Sequence, residues 1–250
     1  MGLSIGYELR ASASVEEARE LVRRLHERAV EVGFVCEEVR EFSGEEAVAT
    51  SETRTTDPEW WLKIRGGYCI PMNNEESDKE YISLDPLHMI AFMCWPGKTE
   101  PSCMGLCRLP AKARRKIDGR SIEFDTGFGD IWAWQSSCKT QYASDPQNGG
   151  IEHFLDSHIR LIALLDFAKD LGILHDVGDD GGYWLDRDRQ KLASEIHRWN
   201  VKVAGIVGTL NDLFEGQGKD RGSAAITKFL DFEHLEAEAH RDKEPGGDEA

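Results

Sequence analysis

In the first part of the chain, the spacing of hydrophobic residues changes from the period of a strand to the period of a helix. Residues 4–10 alternate apolar and polar side chains, which is typical of a strand. Ser14 and Glu17 then have the spacing of a capping box, and the apolar residues that follow recur at steps typical of one helix face. These apolar positions are Val15, Ala18, Leu21, Val22, Leu25, Ala29 and Val32. Gly33 is predicted to end the helix and residues 34–42 to form a second strand, so the pattern indicates a β-α-β unit.

The middle of the chain is predicted to be rich in strands. Short segments of aromatic and β-branched residues alternate with Gly, Pro, Asn and Asp, which favour turns. The predicted strands are residues 60–65, 68–71, 80–84, 88–95, 105–109 and 130–142. The strand 88–95 is apolar on both alternating faces, which predicts a central position with both sides covered. The polar residues 43–58 and the basic residues 112–120 are predicted as loops.

The last hundred residues are predicted to be mostly helical. Apolar residues recur at helical spacing in residues 151–171 and again in residues 187–214, and a shorter charged helix is predicted for residues 223–239. Between the first two helices, residues 173–185 are predicted as two short extended pieces joined by a turn rich in Gly and Asp. Residues 241–250 are predicted as a disordered tail.

These elements together predict an α+β fold. An N-terminal β-α-β unit continues into a mostly antiparallel sheet, and C-terminal helices cover the sheet. The chain shows no internal repeat and no linker rich in Pro, Gly or Ser, so residues 1–240 are expected to form a single domain. Within it, a sheet-rich part covers residues 1–145, and a helical part of residues 146–240 is expected to pack on that sheet.

The formal net charge of −16 restricts the class of partner. It disfavours duplex nucleic acid and membrane surfaces, because phosphate binding depends on clustered Lys and Arg. It favours a protein partner, in particular a basic one, and a homodimer is compatible with it. The sequence shows neither an apolar run of about 20 residues nor a signal-peptide pattern. The six cysteines are therefore expected to be reduced thiols, and the protein is expected in the cytoplasm.

Two sequence patterns are weak candidates for metal sites. The first is a calcium-loop pattern with the candidate ligands Asp176, Asp179 and Asp180. Gly178 and Arg187 occupy the third and twelfth positions, where such a loop needs oxygen ligands, so a turn without an ion is the preferred interpretation. The second is the pair Cys103 and Cys107, which on a strand would lie about 13 Å apart, too far to share one zinc ion. The sequence therefore predicts no metal and no cofactor.

The seven tryptophans are candidates both for core packing and for a binding surface. Tryptophan is enriched at interaction hot spots, but packing in the core is the preferred interpretation of these residues. Neighbouring residues on a strand point to opposite sides, so the Trp residues of the predicted strands are not expected to share one core. The candidate binding set is Trp60, Trp61, Trp132, Trp134 and Trp184.

The sequence identifies no catalytic residue. It contains neither a phosphate-binding loop nor a nucleophile elbow, and His153 and His158 are separated by about 500° of helical rotation, so they do not share a face. The leading hypothesis is therefore a non-enzymatic protein-binding module, such as an inhibitor or immunity protein for a basic partner. The alternative is a hydrolase whose His, Asp and Cys residues come together near the Trp-bearing strands.

Overall fold

The computed structural model describes residues 2–52, 54, 56–71, 81–117, 120–214 and 235. The helices are α1 (Val15–Glu31), α2 (Trp60–Gly66), α3 (Gly150–Asp170), α4 (Tyr183–Asp186) and α5 (Arg189–Phe214). The strands are β1 (Ser4–Ser12), β2 (Val35–Cys36), β3 (Arg40–Ser43), β4 (Tyr68–Pro71), β5 (Tyr81–Leu84), β6 (His88–Trp95), β7 (Ser102–Arg108), β8 (Lys112–Ile117), β9 (Arg120–Asp125), β10 (Ile131–Lys139) and β11 (Leu174–Asp179). Apart from Leu235, the predicted helix 223–239 and the predicted tail 241–250 lie outside the described residues.

A seven-stranded antiparallel sheet organises the chain, and it confirms the predicted α+β class. Its order is β11-β1-β10-β7-β6, and both β2 and β3 pair with the outer side of β6. Because each of the four pairings from β1 to β2 is antiparallel, β1 and β2 run parallel to each other. The predicted β-α-β unit is therefore present in a split form, with β10, β7 and β6 between its two strands.

Helix α1 begins at the capping box that the sequence predicts. The backbone N–H of Glu17 donates to the Ser14 hydroxyl at 3.2 Å, and the Ser14 N–H donates to the Glu17 carboxylate at 2.8 Å. The helix buries a stripe of four residues against the sheet: Ala18, Val22, Leu25 and Ala29. Capping satisfies two backbone donors of the first turn, and the buried stripe supplies the hydrophobic contact that holds the helix on the sheet.

Helices α1 and α3 pack on the same face of the sheet, where the strands contribute two large buried rings. Trp132 and Trp134 are each 1% exposed, and their indole N–H groups donate to the carbonyls of Ala13 at 3.0 Å and Cys103 at 2.7 Å. Helix α5 packs on α3 through a second apolar cluster. Its buried members are Leu3, Ala143, Phe154, Leu155, Leu192 and Ile196. The C-terminal helices thus form two successive layers over the sheet.

The predicted strand at residues 60–65 is wrong, because this segment is helix α2. Its aromatic and β-branched residues favour a strand, but its buried residues, Leu62 and Gly66, are one helical turn apart. A Cβ at Gly66 would lie 2.6 Å from Sδ of Met89 and 3.3 Å from Sγ of Cys107. The close approach of this helix to β6 and β7, which tertiary packing imposes, therefore outweighs the local strand propensity.

The prediction of a basic loop at residues 112–120 is also wrong, because β8 and β9 form a hairpin there. Lys112 Nζ donates to Glu123 at 3.0 Å and Arg114 Nε donates to the same carboxylate at 2.9 Å. Two of the cations that indicated a solvated loop are thus paired with one carboxylate across the two strands.

Two further segments differ from their predictions. The single strand predicted for residues 34–42 is divided into β2 and β3. The second extended piece predicted after the Gly- and Asp-rich turn is the short helix α4, which begins after Gly182 with a φ of 74°. Residues 43–58, predicted as a loop, contain a single turn of 3-10 helix at Gly44–Ala47 beyond the end of β3 in the part of the segment that the structure describes.

Candidate functional site

A groove opens between the C-terminal end of α1, the β6–β7 loop and the N-terminal half of α3. It encloses about 550 Å³, which is within the range of about 300–1,000 Å³ that small-molecule sites occupy. We call it the cationic groove. It is lined by Gly33, Val35, Trp95, the loop residues 96–99, His153 and Arg160.

Close packing of the β6–β7 loop on α3 builds one wall of the cationic groove. The backbone N–H of Lys98 donates to Nε2 of His153 at 3.3 Å. A Cβ at Gly97 would lie 2.2 Å from the hydroxyl oxygen of Ser157, so this position needs a glycine if the loop is to approach the helix so closely. The loop therefore holds the Lys98 backbone at the groove while its side chain extends from the rim.

Two cations of the groove have no acidic partner. Asp156 lies one helical turn before Arg160, but Arg189 binds it at 3.3 Å and also binds Glu152 at 2.6 Å. Within the part of the chain that the structure describes, no carboxylate lies within 4 Å of Lys98 or Arg160. These two charges are therefore available to a ligand, in a chain whose net charge is −16.

The remainder of the cationic groove is mostly apolar. Val35 is 71% exposed although it is a large aliphatic residue, and the ring of Trp95 lies beside it, since the two residues are paired in the register of β2 and β6. The guanidinium of Arg160 approaches the end of α1, where the negative pole of the helix dipole favours a cation. The arrangement can hold a molecule that joins an apolar body to an anionic group.

A second depression, of about 460 Å³, lies on the opposite, polar face of β1, β10 and β11. Glu8 is central here, because its carboxylate accepts hydrogen bonds from Arg10 at 2.5 Å and from the Tyr68 hydroxyl at 2.6 Å. Burial and the Glu8 carboxylate raise the pKa of Tyr68 to about 12, against the opposing effect of Arg10. The Glu8 carboxylate of this depression is thus already engaged by Arg10 and Tyr68.

A buried histidine cluster lies on another side of α3. It consists of Thr140, His158 and Asp179. The Thr140 hydroxyl lies 2.9 Å from Nδ1 of His158, and Nε2 of His158 lies 3.1 Å from Oδ1 of Asp179. The second contact is short, but its N–H does not point along the line to the oxygen, so we treat it as an electrostatic contact rather than a hydrogen bond.

The environment of Asp179 stabilises its ionised form. Burial by itself would raise the pKa of this carboxyl group, but the contact with His158 and the N–H groups of Trp184 and Gly181 outweigh it and lower the pKa. The two N–H groups each donate to the carboxylate at 2.8 Å. The cluster has the residue types of a hydrolytic triad, but the side chains of His158 and Asp179 are 0% and 2% exposed. A substrate has no access to it in this conformation.

The five candidate tryptophans do not come together. Trp132 and Trp134 lie in the core, whereas the other three have partly exposed rings, with Trp60 and Trp61 6.3 Å apart on α2 and Trp184 on α4. Trp61, 39% exposed, lies on α2 below the Arg65 guanidinium, and the indole N–H of Trp60 donates to the carbonyl of Thr50 at 2.9 Å. Trp184 lies on α4, where the cationic groups of Lys169 and Arg187 lie 5.9 and 4.8 Å from the centre of its ring. The binding role of this set stays a prediction, with three of its five members at the surface.

The three aspartates considered for an ion are used in different ways. Asp180 accepts hydrogen bonds from the backbone and hydroxyl of Ser4 at 3.1 and 2.6 Å, and Asp179 belongs to the buried histidine cluster. Asp176 is exposed on β11, beside the second depression. Among the described residues, no group of three or more His, Cys, Asp or Glu side chains is placed to hold a metal ion.

The sequence interpretation missed the cationic groove, although one signal for it was present. His153 and Arg160 are separated by seven residues, about two helical turns, so they share a face of α3. The pairing of His153 with His158 that was considered instead joins two different faces. Lys98 could not be added from sequence, because its place beside α3 depends on the packing of the β6–β7 loop.

Comparison of the chain with protein-family models, with curated proteins and with solved structures finds no match. None of the described helices combines the length and the apolar character that crossing a membrane requires. The function is therefore inferred from the geometry of the chain itself.

Proposed function

We propose that this protein is a binding protein that takes up an organic anion, a carboxylate or phosphate joined to an apolar body, in the cationic groove. The observation that carries the proposal is the presence of two cations, Lys98 and Arg160, without carboxylate partners among the described residues at the rim of a mostly apolar groove. Unpaired cations attract an anion, and the charged hydrogen bonds that they form are among the stronger ones in proteins.

The apolar part of the ligand is expected to rest on Val35 and Trp95. Covering a side chain that is 71% exposed removes apolar surface from water, which is favourable by roughly 25 cal/mol for each Å². The groove volume of about 550 Å³ accommodates a molecule with one or two rings. Affinity is therefore expected to depend on both parts of the ligand, the charge and the apolar body.

Several side chains of the groove are already engaged in holding the site, which supports binding rather than turnover. Nε2 of His153 accepts the Lys98 N–H, and the Thr99 hydroxyl donates to the carbonyl of Glu100 at 2.7 Å. The sequence-based hypothesis of a protein partner is compatible with the site if a protein segment carries the anion. A basic partner for the acidic surface and a cytoplasmic location stay predictions, as does the alternative of a hydrolase.

The proposal is tested with 1-anilinonaphthalene-8-sulfonate, a fluorescent probe that joins an anionic group to an apolar body. We expect saturable binding with a stoichiometry of one, and weaker binding at high salt because salt screens exposed charges. In the double variant Lys98→Ala/Arg160→Ala, the dissociation constant should rise at least about tenfold, since about 1.4 kcal/mol of lost interaction corresponds to that factor. Competition by inorganic phosphate and by benzoate then distinguishes a phosphate ligand from a carboxylate ligand.

The matched control is Lys112→Ala/Arg114→Ala on the β8–β9 hairpin. It removes the same two residue types and the same charge, but from cations that are paired with Glu123. Probe binding should be unchanged in this control. If the control variant loses binding and the groove variant keeps it, the proposal is wrong and the basic hairpin is the anion site. Displacement of the probe by a peptide carrying the anion, and by neither small competitor, would instead support the version with a protein partner.

A further inference from the structure

The pairing of β2 with β6 places two cysteines opposite each other at an edge of the sheet. Cys36 and Cys94 are partners in the register of these antiparallel strands. The next pair along the ladder is hydrogen-bonded, since the Glu37 N–H donates to the carbonyl of Met93 at 2.9 Å. Hydrogen-bonded and non-hydrogen-bonded pairs alternate in an antiparallel ladder, so Cys36 and Cys94 form a non-hydrogen-bonded pair.

This position has the geometry that a disulfide needs. In a non-hydrogen-bonded pair the Cα atoms are about 4.5 Å apart and the side chains point to the same face. Disulfides join Cα atoms that are about 4.4–6.8 Å apart, so Cys36 and Cys94 can be joined without large backbone movement. Both cysteines are present as free thiols in the structure.

The two thiols differ in access and in acidity. Cys36 is partly exposed on a strand of two residues, whereas Cys94 is 0% exposed and its thiol donates to the carbonyl of Ser102 at 3.2 Å. Interaction with the Cys94 thiol lowers the pKa of Cys36 against the effect of burial, and burial together with Cys36 raises the pKa of Cys94. Cys36 is therefore the thiol that ionises first and that a reagent in solution reaches first.

We propose that Cys36 and Cys94 are a redox-active dithiol, which a small-molecule disulfide such as oxidised glutathione converts into a Cys36–Cys94 disulfide. The Cys36 thiolate attacks the reagent, the sulfur–sulfur bond of the reagent breaks, and one thiol leaves with a proton. Cys94 then gives up its proton and attacks the Cys36 sulfur of the mixed disulfide, which releases the second thiol. Two protein thiols are oxidised by two electrons, and the reagent is reduced to two thiols.

The remaining cysteines lack one or both of these features. Burial raises the pKa of Cys103 and of Cys138 to about 12, and it also raises the pKa of Cys107. Cys69 is exposed, but its register partner on β5 is Ser83. It can form a mixed disulfide with the reagent, but it lacks a cross-strand thiol to resolve it. Cys69 is therefore the matched control for Cys36.

The test treats the full-length protein with oxidised glutathione, unfolds it in the presence of iodoacetamide, and maps the tryptic peptides by mass. We expect Cys36 and Cys94 to lose alkylation together, whereas Cys69, if it reacts, carries one glutathione without a cross-link. A cross-linked peptide containing both should appear and should be split by dithiothreitol. In Cys36→Ser, Cys94 should stay fully alkylatable, while Cys69→Ser should form the cross-link as the wild type does.

Two results would overturn the inference. One is a protein in which Cys36 carries glutathione while Cys94 is still alkylated after long exposure. The other is modification of Cys69 with both Cys36 and Cys94 left reduced. Because the measurement is made on the wild-type chain, it does not depend on how well the variants fold. It is also independent of anion binding, so failure of one proposal leaves the other standing.

Discussion

Two sides of helix α3 carry polar groups that differ in their exposure to solvent. On one side, the buried histidine cluster joins Thr140, His158 and Asp179, and its His and Asp side chains are at most 2% exposed. On the other side, His153 and Arg160 face the cationic groove, where a guanidinium lies at the surface without a carboxylate partner among the described residues. The residue types that look most catalytic are thus the enclosed ones.

The difference shows that buried polar residues act mainly on the stability of the fold, whereas exposed ones are available for binding a ligand. A buried polar group costs free energy unless it is satisfied, so the hydrogen bonds at Nδ1 of His158 and at the Asp179 carboxylate stabilise the cluster, while Nε2 of His158 has only the electrostatic contact with Asp179. An exposed cation has water as its partner and can be left without an acid at little cost, which makes it available to a ligand. The cluster is therefore expected to control stability and the groove to control binding, and the following predictions separate the two.

The largest effect is expected from Asp179→Ala. It leaves His158 and the N–H groups of Gly181 and Trp184 without their buried acceptor. Each buried donor left without an acceptor costs about 1–3 kcal/mol, so the loss of two should lower the free energy of unfolding in urea by roughly 2–6 kcal/mol. The control Asp166→Ala removes an exposed partner of Arg187 and should cost less than about 1 kcal/mol. Equal losses in the two variants would contradict the comparison.

A smaller effect is expected from Thr140→Val, which keeps the shape of the side chain but removes its hydroxyl. Nδ1 of His158 then loses a partner at 2.9 Å in a site without water access, and the unfolding free energy should fall by about 1–3 kcal/mol. Thr99→Val is the matched control on the groove side, because the Thr99 hydroxyl donates to the neighbouring carbonyl of Glu100 and accepts only a weak, 3.8 Å hydrogen bond from the Cys138 thiol. It should change stability by no more than about 0.5 kcal/mol.

The stability that ionised Asp179 contributes should disappear in acid. Its pKa in the folded protein is lowered below the ordinary value of 3.8, so the folded state releases the proton more readily than the unfolded state. The contribution is fully present above the unfolded pKa and is lost as the pH falls through the folded pKa. The difference in unfolding free energy between wild type and Asp179→Asn should be constant from pH 7 to about pH 5 and should shrink below about pH 4. A difference that grows in acid would have the wrong sign.

The smallest effect on stability is expected from Arg160→Ala. The change removes an unpaired cation, so the unfolding free energy should move by no more than about 0.5 kcal/mol, while the dissociation constant of the anionic probe should rise about threefold to tenfold. Arg114→Ala, on the β8–β9 hairpin, is the control. It should leave the dissociation constant of the probe unchanged, and its effect on the unfolding free energy should be no larger than that of Arg160→Ala. If Arg160→Ala destabilised the fold as much as Thr140→Val, the groove would be structural and the contrast between the two sides of α3 would be lost.

Local patterns predicted the helices better than the strands between them. The capping box and the apolar stripe of α1, and the long apolar stripes of α3 and α5, are signals within one element, and these helices are present with nearly the predicted bounds. Helix α2 was predicted as a strand, because its residues favour a strand locally and only the fit of Gly66 against β6 and β7 explains the helix. The β8–β9 hairpin was missed, since the pairing of Lys112 and Arg114 with Glu123 depends on the register of the partner strand.

Sequence alone determined the α+β class, the amphipathic helices and the net charge, because these depend on composition and on periods of two and 3.6 residues along the chain. Tertiary structure alone decided which polar residues are enclosed and which are open. His153 and His158 are close in sequence, yet one lies at a groove and the other at 0% exposure between α3 and β11. Cys36 and Cys94 became neighbours only through the register of β2 and β6. The physical reason is that burial and strand register depend on contacts between distant parts of the chain, which no local pattern encodes.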